Sequence, residues 1–285
     1  AEWIGKVHNY LKTNDPWNRP TTGTRSGGIK EFWHEGYQVT DIAAREIYEA
    51  QGFPINKTST IDSATLNPLI HSYRNYADQN QKLWHGYGKP VINGETGWAH
   101  TFYEPSMPGY LAQYHNAMWV TLATGSAMMP FWWAHSRFIN DNVVNGQMTS
   151  LRRFTDRIPF AHLTNIRPAD VKCTKGGDIY GMQTDEYIFG WVVNSDGDVA
   201  NESITVSSLK NGRYRLMTFH TWRGTFLDDT EVTVTNDKIT FGPPYMRITG
   251  SQARYIGQDM AFILQYLPDP VPLTEKSRPG KGKTK

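Results

Sequence analysis

A glutamate closes the run Lys89-Pro90-Val91-Ile92-Asn93-Gly94-Glu95-Thr96-Gly97-Trp98, standing between two glycines just past a short apolar pair. Strands of this length and composition are usually fully buried. A carboxylate at the end of such a strand is costly unless it is hydrogen-bonded or used. Parallel barrels carry their chemistry at the carboxyl ends of their strands. Glu95 therefore reads as a candidate nucleophile or general acid/base; the alternative is a glutamate in an exposed loop. A second carboxylate, Glu46, lies in Asp41-Ile42-Ala43-Ala44-Arg45-Glu46-Ile47-Tyr48. It is either a partner for Glu95 or a structural group paired with Arg45 or bonded to Tyr48.

Other chemistries lack their residues. No G-x-G-x-x-G, G-x-x-x-x-G-K or G-x-S-x-G pattern occurs, which removes phosphate-loop and nucleophile-elbow readings. The nine histidines form no H-E-x-x-H, and His34-Glu35 lacks the second histidine, so neither a metal nor another cofactor is expected. Cys173 is the single cysteine, which excludes an internal disulfide and a thiolate cluster; a buried, inert thiol is expected.

The elements that must position Glu95 follow from periodicity. Trp3, Val7, Tyr10 and Leu11 recur at helical spacing, and Asn14-Asp15-Pro16 stops that helix. Arg19–Thr24 is a short β-prone run, Ile29–Tyr37 a short helix or a loop, and Val39–Tyr48 begins as a second strand. Leu69, Ile70, Tyr73, Tyr76 and Ala77 mark a helix that reaches Trp84 and closes at Gly86, before the Glu95 strand. Tyr110, Leu111, Tyr114 and Met118 mark the next helix, closed near Gly125, and Ala127–Trp133 is a fourth buried strand. Strands alternating with helices imply a parallel sheet of about four βα units.

From about residue 170 the texture changes. Tyr187–Val193, Ser203–Val206, Tyr214–Phe219, Glu231–Val234, Lys238–Phe241 and Ala261–Tyr266 are β-prone, separated by turn residues such as Lys210-Asn211-Gly212 and Asn236-Asp237. That spacing predicts an antiparallel β-sandwich. The expected division is 1–165 for the parallel unit, 166–268 for the sandwich and 269–285 for a basic, disordered tail.

Net charge is +2 over 285 residues. The last eleven residues hold five basic side chains against Glu275, which leaves the body slightly acidic. No basic patch interleaved with aromatics supports nucleic-acid binding. No apolar stretch approaches the roughly 20 residues of a membrane span. The start, Ala1-Glu2-Trp3, has neither a basic region nor an apolar signal core, as a secreted or periplasmic protein in its mature form would also look. Ten tryptophans and fifteen tyrosines give the chain a high aromatic content; most belong in cores, and a surplus at loop ends could stack on sugar rings.

At these residues the chain resembles the cellulase-like glycoside hydrolases of the two-glutamate TIM-barrel clan, clan A. Lys89–Gly97 resembles the seventh barrel strand, whose glutamate is the nucleophile, and Trp132-Trp133 the eighth, which carries a tryptophan under the sugar. Asp15-Pro16 with Arg19-Pro20-Thr21-Thr22 resembles the link into the fifth strand, which Thr24 and Arg25 end. Asp41–Tyr48 resembles the sixth, with Glu46 where the family usually has histidine two before Tyr48.

The resemblance implies a half (β/α)8 TIM barrel followed by an antiparallel β-sandwich. It implies a β-linked poly- or oligosaccharide as substrate, with Glu95 and Glu46 as catalytic candidates. Trp133, Trp132, Trp98, Tyr48, His100, His135 and Arg25 would be the substrate-binding candidates. Strands one to four and their Asn-Glu acid/base have no counterpart, and Asn201-Glu202 lies too deep in the sandwich to replace them. A half-barrel exposes two sheet edges and its inner face, so a homodimer related by a two-fold axis is expected to complete it. In such a dimer a second Glu95 is another candidate partner carboxyl. The rival readings are one part of a split enzyme and a non-catalytic carbohydrate-binding or scaffold protein.

Overall fold

The computed structural model describes residues 2–23, 34–47, 73–96, 110–126, 142–194, 199–243 and 258–268. Helix α1 spans Glu2–Asn14, with Glu2 in its first turn and Lys12 in its last, the charge order that suits the helix dipole. It stops where Asp15 turns the chain: the carboxylate accepts the backbone N–H groups of Trp17 (3.2 Å) and Arg19 (3.0 Å) and the Arg19 guanidinium. Ile4 is buried under the helix, whereas Trp3, Tyr10 and Leu11 are exposed.

Asp41 fastens this helix to the parallel sheet. It accepts the Thr21 amide (2.8 Å) and hydroxyl (3.0 Å) and pairs with Lys12 at 2.9 Å. The Thr21 amide and then Lys12 pull the Asp41 carboxyl down to about 2.

The sheet holds β1 (Thr22–Gly23), β2 (Ile42–Ile47) and β3 (Val91–Thr96) in that order, all parallel. Between them lie α2 (His34–Val39) and α3 (Tyr73–Tyr87); α4 (Tyr110–Ala123) and α5 (Asn142–Thr155) follow. Ser126 forms an isolated parallel bridge with Val91 on the far side of β3. The expected fourth strand, Ala127–Trp133, lies outside the described residues, and Ser126 stands where it would enter.

In the parallel unit one boundary and one helix differ from the pattern in the sequence. Val39 ends a helix instead of opening a strand. The Thr40 amide and hydroxyl both donate to Gly36 O, and Lys89 Nζ donates to the carbonyls of Tyr37 (2.6 Å), Gln38 (3.0 Å) and Thr40 (2.6 Å). A cation on the orphan carbonyls of a helix end is a strong stop. Helix α5 has no counterpart among the expected elements.

Antiparallel strands follow: β4 (Arg167–Pro168), β5 (Val171–Cys173), β6 (Asp178–Gln183), β7 (Tyr187–Val193), β8 (Ile204–Val206), β9 (Gly212–His220), β10 (Thr225–Val234), β11 (Ile239–Phe241) and β12 (Asp259–Leu267). They form a six-stranded sheet, β10-β9-β12-β7-β6-β4, and a three-stranded sheet, β11-β8-β5. Asn236 and Asp237, with φ of 55° and 54°, make the two-residue turn between β10 and β11, closed by the Thr235–Lys238 bridge. That turn carries the chain from the large sheet to the small one.

β7 is buried along its whole length because both of its faces are covered. Phe189, Trp191 and Val193 face a core shared with Tyr73, Tyr76, Tyr114, Trp119 and Phe154 of the helices. Ile188 and Val192 face the second core with Ile204, Val206, Met260 and Phe262, between the two sheets. The alternation is the period-two signature of a strand. The architecture is therefore an open parallel sheet with helices, a partial TIM barrel, followed by an antiparallel sandwich. A continuous core joins α3–α5 to the large sheet.

Candidate active site at the ends of the parallel strands

β3 rises from the clamp made by Lys89, and Pro90 O accepts the Ala43 amide, which sets the start of the β2–β3 ladder. Ala43, Ala44 and Val91 are buried in it, and the Tyr37 hydroxyl donates to Ala44 O. Asn93 is fully buried and donates through Nδ2 to Thr121 Oγ1 of α4 at 3.3 Å. The ladder pairs Ala43 with Val91, Ala44 with Ile92 and Arg45 with Asn93, and then slips: Glu46 pairs with Glu95, leaving Gly94 as an extra residue. Bulges of this kind are rare in parallel pairs and recur beside active sites, where they re-aim the following residue. The slip makes the two glutamates direct neighbours at the carboxyl ends of adjacent strands, the position from which barrels act.

Of the expected site residues, the structure brings together Glu46 and Glu95, at the level of the backbone. Arg25, Tyr48, Trp98, His100, Trp132, Trp133 and His135 lie outside the described residues. Glu202 of Asn201-Glu202 has a structural task. Glu202 is buried and accepts the amides of Thr174 (3.0 Å), Lys175 (2.7 Å) and Gly177 (3.0 Å) and the Asn194 side chain (3.2 Å). Cys173 lies beside this turn, its Sγ donating to Gly177 O at 2.9 Å. The thiol is partly buried rather than buried as expected; burial, then the Glu202 and Asp178 charges, push it up to about 11, the direction that lowers its reactivity. Among the described residues no group of three His, Cys, Asp or Glu could hold a metal ion.

A second buried polar cluster escaped the sequence patterns. His115 of α4 is fully buried, with Nε2 2.9 Å from Asp259 Oδ2 and Nδ1 2.6 Å from Gln147 Oε1 of α5. Asp259 also accepts the indole N–H groups of Trp191 (2.6 Å) and Trp222 (2.8 Å), and Trp222 stacks on the His115 ring at 4.0 Å. Burial opposes ionisation of Asp259, but the His115 charge and the hydrogen bonds from His115 and Trp191 outweigh it and hold the carboxyl below the ordinary range. Two signals stood in the sequence: an acid heading an apolar strand, and a histidine inside an apolar helix.

Comparison with known proteins places the fold. No family model matches the chain, and no curated protein does. Solved structures do. A glycoside hydrolase family 5 protein from Bacteroides vulgatus superposes with a TM-score of 0.55 at 13% identity, covering 91% of this chain and 57% of that one. A noncanonic maltogenic α-amylase, AmyB, from Thermotoga neapolitana gives 0.51 at 12%, covering 93% and 59%. A further glycoside hydrolase gives 0.50 at 13%, covering 82% and 54%. The chain thus spans somewhat more than half the length of these three structures. At these identities the likeness is one of fold. Among the described residues no helix is long and apolar enough to cross a membrane.

Proposed function

We propose, from a partial TIM barrel of glycoside-hydrolase type, that this chain cleaves β-linked poly- or oligosaccharide with Glu95 and Glu46 as its carboxyl pair. The register Glu46–Glu95 is the observation that carries the reading. Neighbouring strands lie about 4.8 Å apart, and retaining hydrolysis uses carboxyls about 5–5.5 Å apart. Adjacent like charges favour sharing one proton, which suits a pair in which one member attacks while the other protonates the leaving oxygen. Glu95 is assigned the nucleophile and Glu46 the acid/base. Trp132 or Trp133 supplies the sugar platform, and Tyr48, Trp98, His100, His135 and Arg25 line the cleft.

A second copy completes the barrel in this reading. The edge of β1, which among the described residues pairs with β2 alone, and the exposed Trp3, Tyr10 and Leu11 of α1 support it. Light scattering at micromolar concentration is expected to give a dimer; a monomer that gains activity only with another polypeptide would transfer the missing half to that partner.

The test of the chemistry is sugar release by the full chain from cellulose, xylan and mannan, with starch as the α-linked control. Glu95→Gln is expected to lower turnover by about 10²–10⁴-fold and to leave glycan binding intact. Wild-type protein that binds one of these glycans and releases nothing would establish the scaffold reading in its place.

A further inference from the structure

The large sheet meets α4 and α5 through a seam of ionisable groups that the proposed hydrolysis does not use. At its centre lies His220, the last residue of β9, which is 2% exposed. Among the described residues neither of its ring nitrogens has a hydrogen-bond partner. An imidazole so placed is accommodated only as the uncharged ring, because a buried charge without acceptors is strongly disfavoured.

The residues after His220 make the seam. Thr221 O accepts the Ser150 hydroxyl of α5, Trp222 bonds Asp259 and stacks on His115, and Gly224 O accepts Arg153 of α5 at 3.3 Å. The charged and titratable groups that face His220 are Asp259 from β12, His115 from α4 and Arg223 from its own turn, with Arg153 bonded into that turn from α5. His115 and Arg223 repel a protonated ring and Asp259 attracts it; burial is the largest influence, and the net direction is downward from the ordinary histidine value.

We propose that His220 is an acid-operated latch: protonation of its ring loosens the β9–β10 turn from α4 and α5, so that the sandwich loses its hold on the helix that follows the Glu95 strand. The sign follows from linkage. A histidine depressed in the closed state stabilises that state fully above its ordinary value of about 6.5, and the stabilisation drains as pH falls below it. Asp259 is held below the ordinary carboxylate range, so in this window it is a fixed negative charge beside His220. Release would free Trp222 from His115 and slacken α4, whose Thr121 is bonded to Asn93 two residues before Glu95.

Amide hydrogen exchange on the full chain, corrected for intrinsic rates, tests the latch. Between pH 7.5 and 5.5 the wild-type protein should lose protection across 113–124 and 219–226 by up to about tenfold per pH unit, while β6 and β7 stay protected. His220→Gln should keep its protection at pH 7.5 and lose the pH dependence. Flat protection in the wild type, or a His220→Gln protein with the same acid response, overturns the proposal. Should that variant not fold, the ring C–H resonances of wild-type His220 decide. A ring that resists protonation until the seam opens supports the latch; a ring that titrates at the ordinary histidine value with the seam still protected ends it.

Discussion

The antiparallel sheets and the parallel sheet treat their acids in opposite ways. Among the described residues of the sandwich the two buried carboxylates are well supplied: Glu202 by three amides and an amide side chain, Asp259 by two indoles and an imidazole. Each of these donors fixes a turn or a seam. In the parallel sheet two glutamates are set side by side at strand ends by a bulge that regular pairing would not produce. Like charges directly opposite one another destabilise a sheet. The donors gathered on Glu202 and Asp259 make those two structural acids, whereas the proposed hydrolysis assigns its chemistry to the pair Glu46 and Glu95.

The largest test of that division is kinetic. Glu46→Gln removes the proton donor assigned to the pair and should lower turnover by about 10²–10⁴-fold with little change in the urea midpoint. An unchanged rate would return Glu46 to a structural role and make the second Glu95 of a dimer the partner to examine. Asp259→Ala should do the reverse. It leaves His115 and two indoles without their acceptor, and breaking a buried pair costs about 3–5 kcal/mol, read by urea denaturation. A loss under about 1 kcal/mol would mean that the seam is far less tightly made than its hydrogen bonds suggest.

Much of this contrast was legible in the sequence and part of it was not. The strand from Tyr187 to Val193 could be read residue for residue, because a run covered on both faces is continuously apolar. The Glu95 strand was visible through the apolar pair Val91-Ile92 that opens it and the glycines that flank its glutamate. β6 was hidden by its composition: Asp178 and Gln183 bound it, and Gly181 sits where a Cβ would come within 3.1 Å of Phe189 O. β4 is two residues long and includes Pro168, a residue confined to sheet edges. The Gly94 bulge is a property of two strands together and cannot be seen in either. His115 and Asp259 lie 144 residues apart, so neither signals the other until the sheet is laid on the helices.

Glu202→Ala should have a moderate effect, confined to one turn. Three amides lose their acceptor, at a cost of about 1–3 kcal/mol. The same change removes a negative charge that helps push the Cys173 thiol upward, so labelling of Cys173 at pH 8 should become faster. Faster labelling together with unchanged turnover would place Glu202 wholly on the structural side. A loss of turnover without loss of stability would move it across.

The smallest effect belongs to the exposed end of the large sheet. Arg215 on β9 and Asp229 on β10 form a bidentate pair at 2.6 and 2.5 Å, with each side chain 43% exposed, and Arg213 pairs with Glu231 one step along. Arg215 lowers the Asp229 carboxyl, so whatever the pair contributes is present above the ordinary carboxylate range and fades as pH falls below it. Exposed pairs are screened by water and salt and are worth about 0–1 kcal/mol. Arg215→Ala should therefore shift the urea midpoint only slightly at low salt and less at 0.5 M salt. β10 is an edge strand, and alternating charge across its ladder discourages another sheet from pairing there. The more telling readout for Arg215→Ala combined with Arg213→Ala is therefore association. If the double variant self-associates while the wild type at the same concentration does not grow beyond its own assembly, these charges guard an edge. The sandwich's acids would then serve structure both in its interior and at its exposed edge, and the parallel strand ends would remain the place where two acids are left side by side.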